Sequence, residues 1–165
     1  MLQRFTSAQT SINSRKAPAV YSMKKAVAIM AGKKVVDIGG GKFDTAKEAA
    51  RAYAADVSIY DPYNRSPEHN AAALSGLYDV AVISNVLNVI DSESARGDVL
   101  KLAATKAHAL LITVYEGDRS GKGKQTAADS WQENRPVADY LEEIAAALPG
   151  WNVQRFGRLI VADKK

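Results

Sequence analysis

The stretch Lys34-Val35-Val36-Asp37-Ile38-Gly39-Gly40-Gly41-Lys42-Phe43 decides the fold. Its first five residues form a short apolar run between Gly32 and Gly39, which reads as a buried strand. An acidic residue, Asp37, stands near the strand's end and three glycines follow. The alanine-rich run from Asp44 to Ala54 then reads as a helix, with Asp44 favouring its first turn. Glycines between a strand and a helix let the backbone approach a ligand and take turns that other residues resist.

Working outward, the same alternation continues. Upstream, Pro18 suits a helix start, and Val20, Met23, Val27 and Met30 share one face of a helix that Gly32 stops. Downstream, Val57–Tyr60, Asp79–Ser84 and Ala109–Val114 read as strands, and Glu93–Lys106 and Pro136–Leu148 as helices. Trp151–Phe156 and Arg158–Ala162, split by Gly157, form a hairpin signal. The order predicts an α/β fold of three layers, a mostly parallel sheet with a C-terminal antiparallel hairpin. Only 17 residues separate Asp61 from Asp79, room for one crossover and not for a further strand with a second crossover.

Composition sets the outer bounds. With 165 residues, 47% apolar and 24% charged, the chain suits one domain spanning 1–165. No apolar run approaches the ~20 residues that span a bilayer, so no membrane segment is expected. The absence of cysteine excludes disulfides, thiolate metal sites and cysteine nucleophiles, and fits a cytoplasmic protein. No metal-ligand spacing occurs, and His69 and His108 read as surface and strand-edge residues. Of 22 basic residues, seven lie within 1–36, which has no acid; the remainder carries 15 basic against 18 acidic residues. This basic segment, helical within 1–33, points to an anionic partner or substrate, nucleic acid among the candidates, or to a solvated helix face. The Gly117–Gly123 run reads as a mobile loop.

Two carboxylates narrow the chemistry. The glycine cluster suits a dinucleotide or S-adenosylmethionine. A dinucleotide fingerprint wants glycine at positions one, three and six, and counting from Gly39 the sixth is Asp44. Asp37 would also sit beside an anionic pyrophosphate, whereas the ammonium and sulfonium of S-adenosylmethionine favour it. Asp61, 24 residues after Asp37 and at the end of the second strand, is placed to accept hydrogen bonds from ribose hydroxyls. Pro62 follows it, and Tyr63 is placed to lie against adenine.

With these residues the chain resembles the class I S-adenosylmethionine-dependent methyltransferases. Val35–Gly41 matches their first motif, Ile59-Tyr60-Asp61 the second, and Tyr78–Leu87 the segment of the fourth strand. The resemblance implies a Rossmann-like methyltransferase sheet whose usual third strand is missing or vestigial. It implies S-adenosyl-L-methionine as cofactor and S-adenosyl-L-homocysteine as product. Asp37, Gly39, Gly40, Gly41, Asp61, Pro62, Tyr63, Ser84, Asn85 and Val86 would form the cofactor site. Thr10–Arg15, Asp61-Pro62-Tyr63 and Asn85–Ile90 also resemble a group of methyltransferases associated with DNA phosphorothioation loci. The chain departs from the family in Phe43, which replaces the last glycine of the first motif. No proline follows Ser84-Asn85, so methylation of a base's exocyclic amine is disfavoured, and the lack of cysteine excludes thiolate-assisted methylation of pyrimidine carbon 5.

Methyl transfer needs alignment, and a base only where the acceptor must lose a proton. Asn88, after the same strand, can orient an acceptor. Residues 116–135 lie on the ligand side of the sheet as a substrate loop or lid, with Glu116, Trp131 and Asn134 as contacts, and Arg15 supplies a cation from the N-terminal segment. The sequence assigns no catalytic residue, acceptor or oligomeric state. A non-catalytic cofactor-binding module of a nucleic-acid-modifying system fits the same motifs.

Overall fold

The computed structural model describes residues 3–8 and 15–164. Thr10–Ser14, read as irregular, lie outside the described residues.

The strands are β1 (Lys34–Ile38), β2 (Asp56–Tyr60), β3 (Tyr78–Ser84), β4 (Ala107–Thr113), the short pair β5 (Lys124–Ala127) and β6 (Ser130–Gln132), and β7 (Trp151–Phe156) with β8 (Leu159–Lys164). The helices are α1 (Lys24–Met30), α2 (Thr45–Ala50), α3 (Pro67–Ser75), α4 (Glu93–Lys106) and α5 (Leu141–Ala147). Six strands form one sheet in the order β2-β1-β3-β4-β8-β7, and β5 and β6 form a separate hairpin. The first four are mutually parallel, while β8 runs antiparallel to β4 and to β7. The sheet therefore ends at β2, and one helix, α3, spans the interval from β2 to β3, as the 17-residue spacing requires.

Alternate residues of each strand enter opposite cores. Val36, Ile38, Ala81, Ile83, Leu110 and Ile112 pack with Leu100 of α4 and Ile144 of α5. Val35, Val57, Ile59, Val80, Val82 and Leu111 pack with Ala26 and Met30 of α1 and with Ala46 and Ala50 of α2. Continuous apolar strands buried on both faces are what a helix-covered parallel sheet demands.

Three elements differ from the sequence reading. The helix expected from Val20 is a 3-10 turn (Ala19–Ser22), broken by Met23 in extended conformation (φ −71°, ψ 121°) before α1 begins. The break lets the sequence neighbours Val20 and Tyr21 both enter the core, which one helical stripe would not allow. The helix expected over 44–54 closes early, passing into a 3-10 turn and a left-handed Ala54 (φ 58°). The β5–β6 hairpin within 116–135 was not legible, because its strands are only four and three residues long.

Behind this hairpin lies a buried ionic cluster. The Arg96 guanidinium, 4% exposed, donates to Ile90 O (2.7 Å), Glu133 Oε1 (3.1 Å) and Glu143 Oε2 (3.1 Å). Arg135 donates to Glu143 Oε2 (2.7 Å), and Trp131 Nε1 donates to Glu133 Oε1 (2.9 Å). Burial pushes the Glu143 carboxyl up, but the two guanidiniums outweigh it and hold it below the ordinary range. Its contribution to stability is thus present above the ordinary carboxyl pKa and lost as pH falls through the lowered value. Truncation at Arg96 takes the guanidinium from the buried Glu133 and one of two from the half-buried Glu143, leaving them Trp131 and Arg135. Arg96→Ala is expected to cost about 3–5 kcal/mol, read as a lowered urea midpoint at unchanged slope; a change below ~1 kcal/mol would show the cluster to be dispensable.

Candidate functional site

The order β2-β1-β3-β4 places a topological switch between β1 and β3. The chain leaves β1 for α2 on one face and β3 for α4 on the other, opening a crevice beyond their carboxyl ends. Two cavities of about 380 and 360 Å³ occupy it, and Gly39, Asn85 and Val89 line both.

Gly39 takes φ +80°, and a Cβ there would stand 2.5 Å from Val86 Cγ2. At Gly40 a Cβ would stand 2.8 Å from Ile59 Cγ2 and 2.9 Å from Asp37 Cγ. The turn is thus pressed against the strands on either side, and only glycine fits. Its amides are spent internally: Gly39 N and Gly40 N donate to Tyr60 O (2.7 and 3.3 Å), and Gly41 N donates to Asp61 Oδ2 (2.9 Å).

Asp61, 5% exposed, joins the turns after β1 and β2. Besides Gly41 N, it accepts at Oδ1 from Tyr63 N (2.9 Å), Asn64 N (2.9 Å) and Asn64 Nδ2 (3.1 Å). A carboxylate offers about four lone-pair sites, so Oδ2 keeps acceptor capacity toward the larger cavity, which Asp61, Pro62 and Tyr63 line. Two residues that sequence reading missed brace this corner. Arg65 donates to Gly41 O (2.7 Å) and Phe43 O (2.9 Å) and pairs with Asp44 (2.9 Å), which explains why Asp44 does not cap α2. Asn70 receives Asp61 N at Oδ1 (3.0 Å) and donates Nδ2 to Asp61 O (2.9 Å). The available signal was Ser66-Pro67, a helix cap and first-turn proline that fix the register of α3.

Asp37 is 1% exposed and lines the smaller cavity. Tyr21, 3% exposed, donates its hydroxyl to Asp37 Oδ2 (2.7 Å). Burial pushes the Asp37 carboxyl up to about 6; the Tyr21 bond and Arg65 pull it down, and Asp61 adds to the rise. Nothing in the sequence pattern marks Tyr21, because the broken helix start that aims it is not periodic.

The other expected residues fall into two groups. Ser84, Asn85 and Asn88 line the smaller cavity, and Val86 lines the larger. Ser84 Oγ meets Thr113 Oγ1 at 3.0 Å. Asn88 is 2% exposed and its amide is engaged, donating to Gln132 Oε1 (3.2 Å) and accepting from Tyr115 N (3.4 Å). Arg15, Glu116, Trp131 and Asn134 line neither cavity. Arg15 lies over the Phe43 ring (5.3 Å). Glu116 Oε1 accepts from Val137 N (2.7 Å), and Asn134 accepts from Asp118 N (3.4 Å) and donates to Lys122 O (3.0 Å), fixing the loop between them.

Trp131 stacks on Phe5, their centroids 5.5 Å apart. Beside it, Thr6 N and Oγ1 donate to Asp129, and Ser7 Oγ donates to Val89 O (3.1 Å). Residues 3–8 are thereby pinned along the β5–β6 hairpin, and Gln3, Thr6, Ser7 and Ala8 wall the larger cavity. The basic residues had drawn attention to this segment, yet its contacts with the cavity are made by uncharged groups: an amide, two hydroxyl residues and an alanine. Among the described residues, no group of three or more His, Asp or Glu side chains is placed to hold a metal.

No family model matches the chain, and no curated protein matches it. Solved structures do. One is the 1,6-didemethyltoxoflavin-N1-methyltransferase of Burkholderia thailandensis, with its substrate and S-adenosylhomocysteine bound. It is 18% identical at TM-score 0.65, over 97% of this chain and 84% of that one. The sugar N-methyltransferase KedS8 from Streptoalloteichus sp ATCC 53650 is 13% identical at TM-score 0.63, over 100% and 94%. The magnesium protoporphyrin IX methyltransferase of Synechocystis PCC 6803, with bound S-adenosylmethionine, is 18% identical at TM-score 0.57, over 97% and 80%. At such identities the likeness establishes the architecture: this chain has the Rossmann-like α/β fold of the S-adenosylmethionine-dependent methyltransferases.

Proposed function

We propose that the chain, acting as one unit over 1–165, is an S-adenosylmethionine-dependent methyltransferase whose cofactor lies across the β1–β3 crevice. One observation carries the reading: a buried carboxyl, Asp37, sits directly beneath a glycine turn that no larger residue fits, with Asp61 beside it. Asp37 holds the methionyl ammonium in the smaller cavity. Asp61 Oδ2 takes a ribose hydroxyl, and Pro62, Tyr63, Asn85 and Val86 flank the adenine in the larger one. Gly39, Gly40 and Gly41 permit the approach, and Ser84 lines the smaller cavity beside them. The bound cofactor supplies an electrophilic methyl group. Asn88 borders the acceptor space, while Arg15, Glu116, Trp131 and Asn134 hold the loops around it. The likeness to phosphorothioation-associated methyltransferases, carried by Asp61-Pro62-Tyr63 and Asn85–Ile90, adds no substrate to this reading.

Calorimetric titration tests the assignment. Binding of S-adenosylmethionine and S-adenosylhomocysteine at dissociation constants on the order of micromolar is expected, with none of NADH. Gly39→Val, whose side chain meets Val86, abolishes that binding while the melting temperature confirms a folded protein. Unchanged affinity in this variant, or binding of NADH alone, rejects the reading.

The state of Asp37 predicts a pH dependence. Holding an ammonium requires the ionised form, so affinity for S-adenosylhomocysteine rises as pH passes about 6 and levels off above. Each unit below that midpoint weakens binding about tenfold. Folding runs the other way: the stability drawn from a raised carboxyl is full below its unfolded pKa and is lost as pH rises through about 6. Tyr21→Phe removes a donor that favours the ionised form, and the binding midpoint moves to higher pH. A profile identical to that of the parent protein would show that Tyr21 does not tune Asp37.

A further inference from the structure

Resting on the cofactor reading above, we propose that the methyl acceptor is a carboxylic acid, bound ionised in the smaller cavity and converted to its methyl ester. The argument starts from which groups can take a proton there. The ionisable residues lining this cavity are Asp37, Lys16, Lys42 and Tyr115. Asp37 is sealed beneath the glycine turn against Tyr21 and is committed to the methionyl ammonium. Lys16, Lys42 and Tyr115 present amino and phenolic groups, hydrogen-bond donors rather than carboxylate or imidazole bases.

The other acids of the crevice, Asp61 and Asp98, line the larger cavity and not this one. His69 Nε2 donates to Ile59 O (2.9 Å), and His108 is the second residue of β4, at the opposite end of the sheet. Glu116 is engaged by Val137 N. The sequence has no cysteine, and residues 1–2 and 9–14 contain no acid or histidine. An acceptor that must be deprotonated by the protein, such as an ammonium or a phenol, finds no partner in this cavity. An acid arrives already ionised.

Charge favours the same choice. With Asp37 against the methionyl ammonium and the methionyl carboxylate offsetting the sulfonium, Lys16 and Lys42 leave the cavity positive, and an ammonium acceptor would add to that charge. Lys42 is exposed and lies over the Phe43 ring at 5.0 Å, so its pull on an acid is a screened, steering one that leaves the reacting oxygen its electron density. The acceptor's carboxylate oxygen forms the new O–CH3 bond as the S–CH3 bond breaks, and the electrons of the broken bond remain on sulfur. Carboxylate and sulfonium become neutral ester and thioether, and no proton moves.

The test uses the full chain, methyl-tritiated S-adenosylmethionine, and two probe panels. One holds hexanoate, decanoate, benzoate, phenylacetate and cinnamate; the other holds the corresponding amines and phenols. Methyl esters alone release tritiated methanol in mild alkali. Alkali-labile label is expected from the acid panel, with a rate flat from pH 7 to 9, because carboxylic acids ionise near pH ~4. Binding of the same acid to protein saturated with S-adenosylhomocysteine, followed by calorimetry, weakens about threefold in Lys42→Gln. Alkali-stable label on the second panel, with a rate rising toward pH 9, overturns the proposal. So does the absence of transfer to any acid while S-adenosylhomocysteine still binds. Failure of that binding overturns the cofactor reading as well, and so separates the two.

Discussion

The hydrogen bond from Gly41 N to Asp61 Oδ2, with the three further bonds that Asp61 accepts from residues 63 and 64, ties together two turns that are remote in sequence. Each turn alone is a loop of small or polar residues with little apolar surface to bury. Linked through one carboxylate, they share a fixed geometry. Arg65 then holds the carbonyls of the first turn while Asn70 holds the main chain of the second. Asp37 lines the smaller cavity and Asp61 the larger, on the two sides of this corner.

Much of the fold was legible because strand composition and spacing are local properties. Val35–Ile38 and Ala81–Ile83 are apolar on both faces, and the interval between Asp61 and Asp79 is short enough to exclude a strand. Asp37 and Asp61 were legible because chemistry places carboxylates at strand ends in few other ways. What escaped the sequence was produced by long-range contacts. Tyr21 reaches Asp37 only because Met23 interrupts the helix. Trp131 read as a contact for substrate, yet its ring is covered by Phe5, a residue that sits more than 120 positions away. Asn88 and Asn134 read as polar residues near a ligand, and both amides hold loops together, Asn88 from the wall of the smaller cavity.

The sheet's end at β2 creates a second demand. An edge strand leaves main-chain groups without a neighbouring strand, and such edges invite pairing with other chains. Here side chains of α3 stand in: His69 meets Ile59 O, and Asn70 offers both donor and acceptor to Asp61, as a neighbouring strand would. The short crossover therefore does more than return the chain to β3. It covers one carbonyl of the exposed edge, and it holds the aspartate that follows the strand.

The wall of the larger cavity made by residues 3–8 bears on how the molecule assembles. Thr6 and Asp129 close a loop of more than 120 residues, so the wall forms only once nearly the entire chain is present. Contacts of such sequence separation are costly in chain entropy and tend to form late. During synthesis the parallel strands β1 to β4 can associate before the hairpin that anchors the wall has emerged. A ligand that fills the cavity would then act on the last step of folding, drawing the finished state forward by mass action rather than guiding the sheet that precedes it.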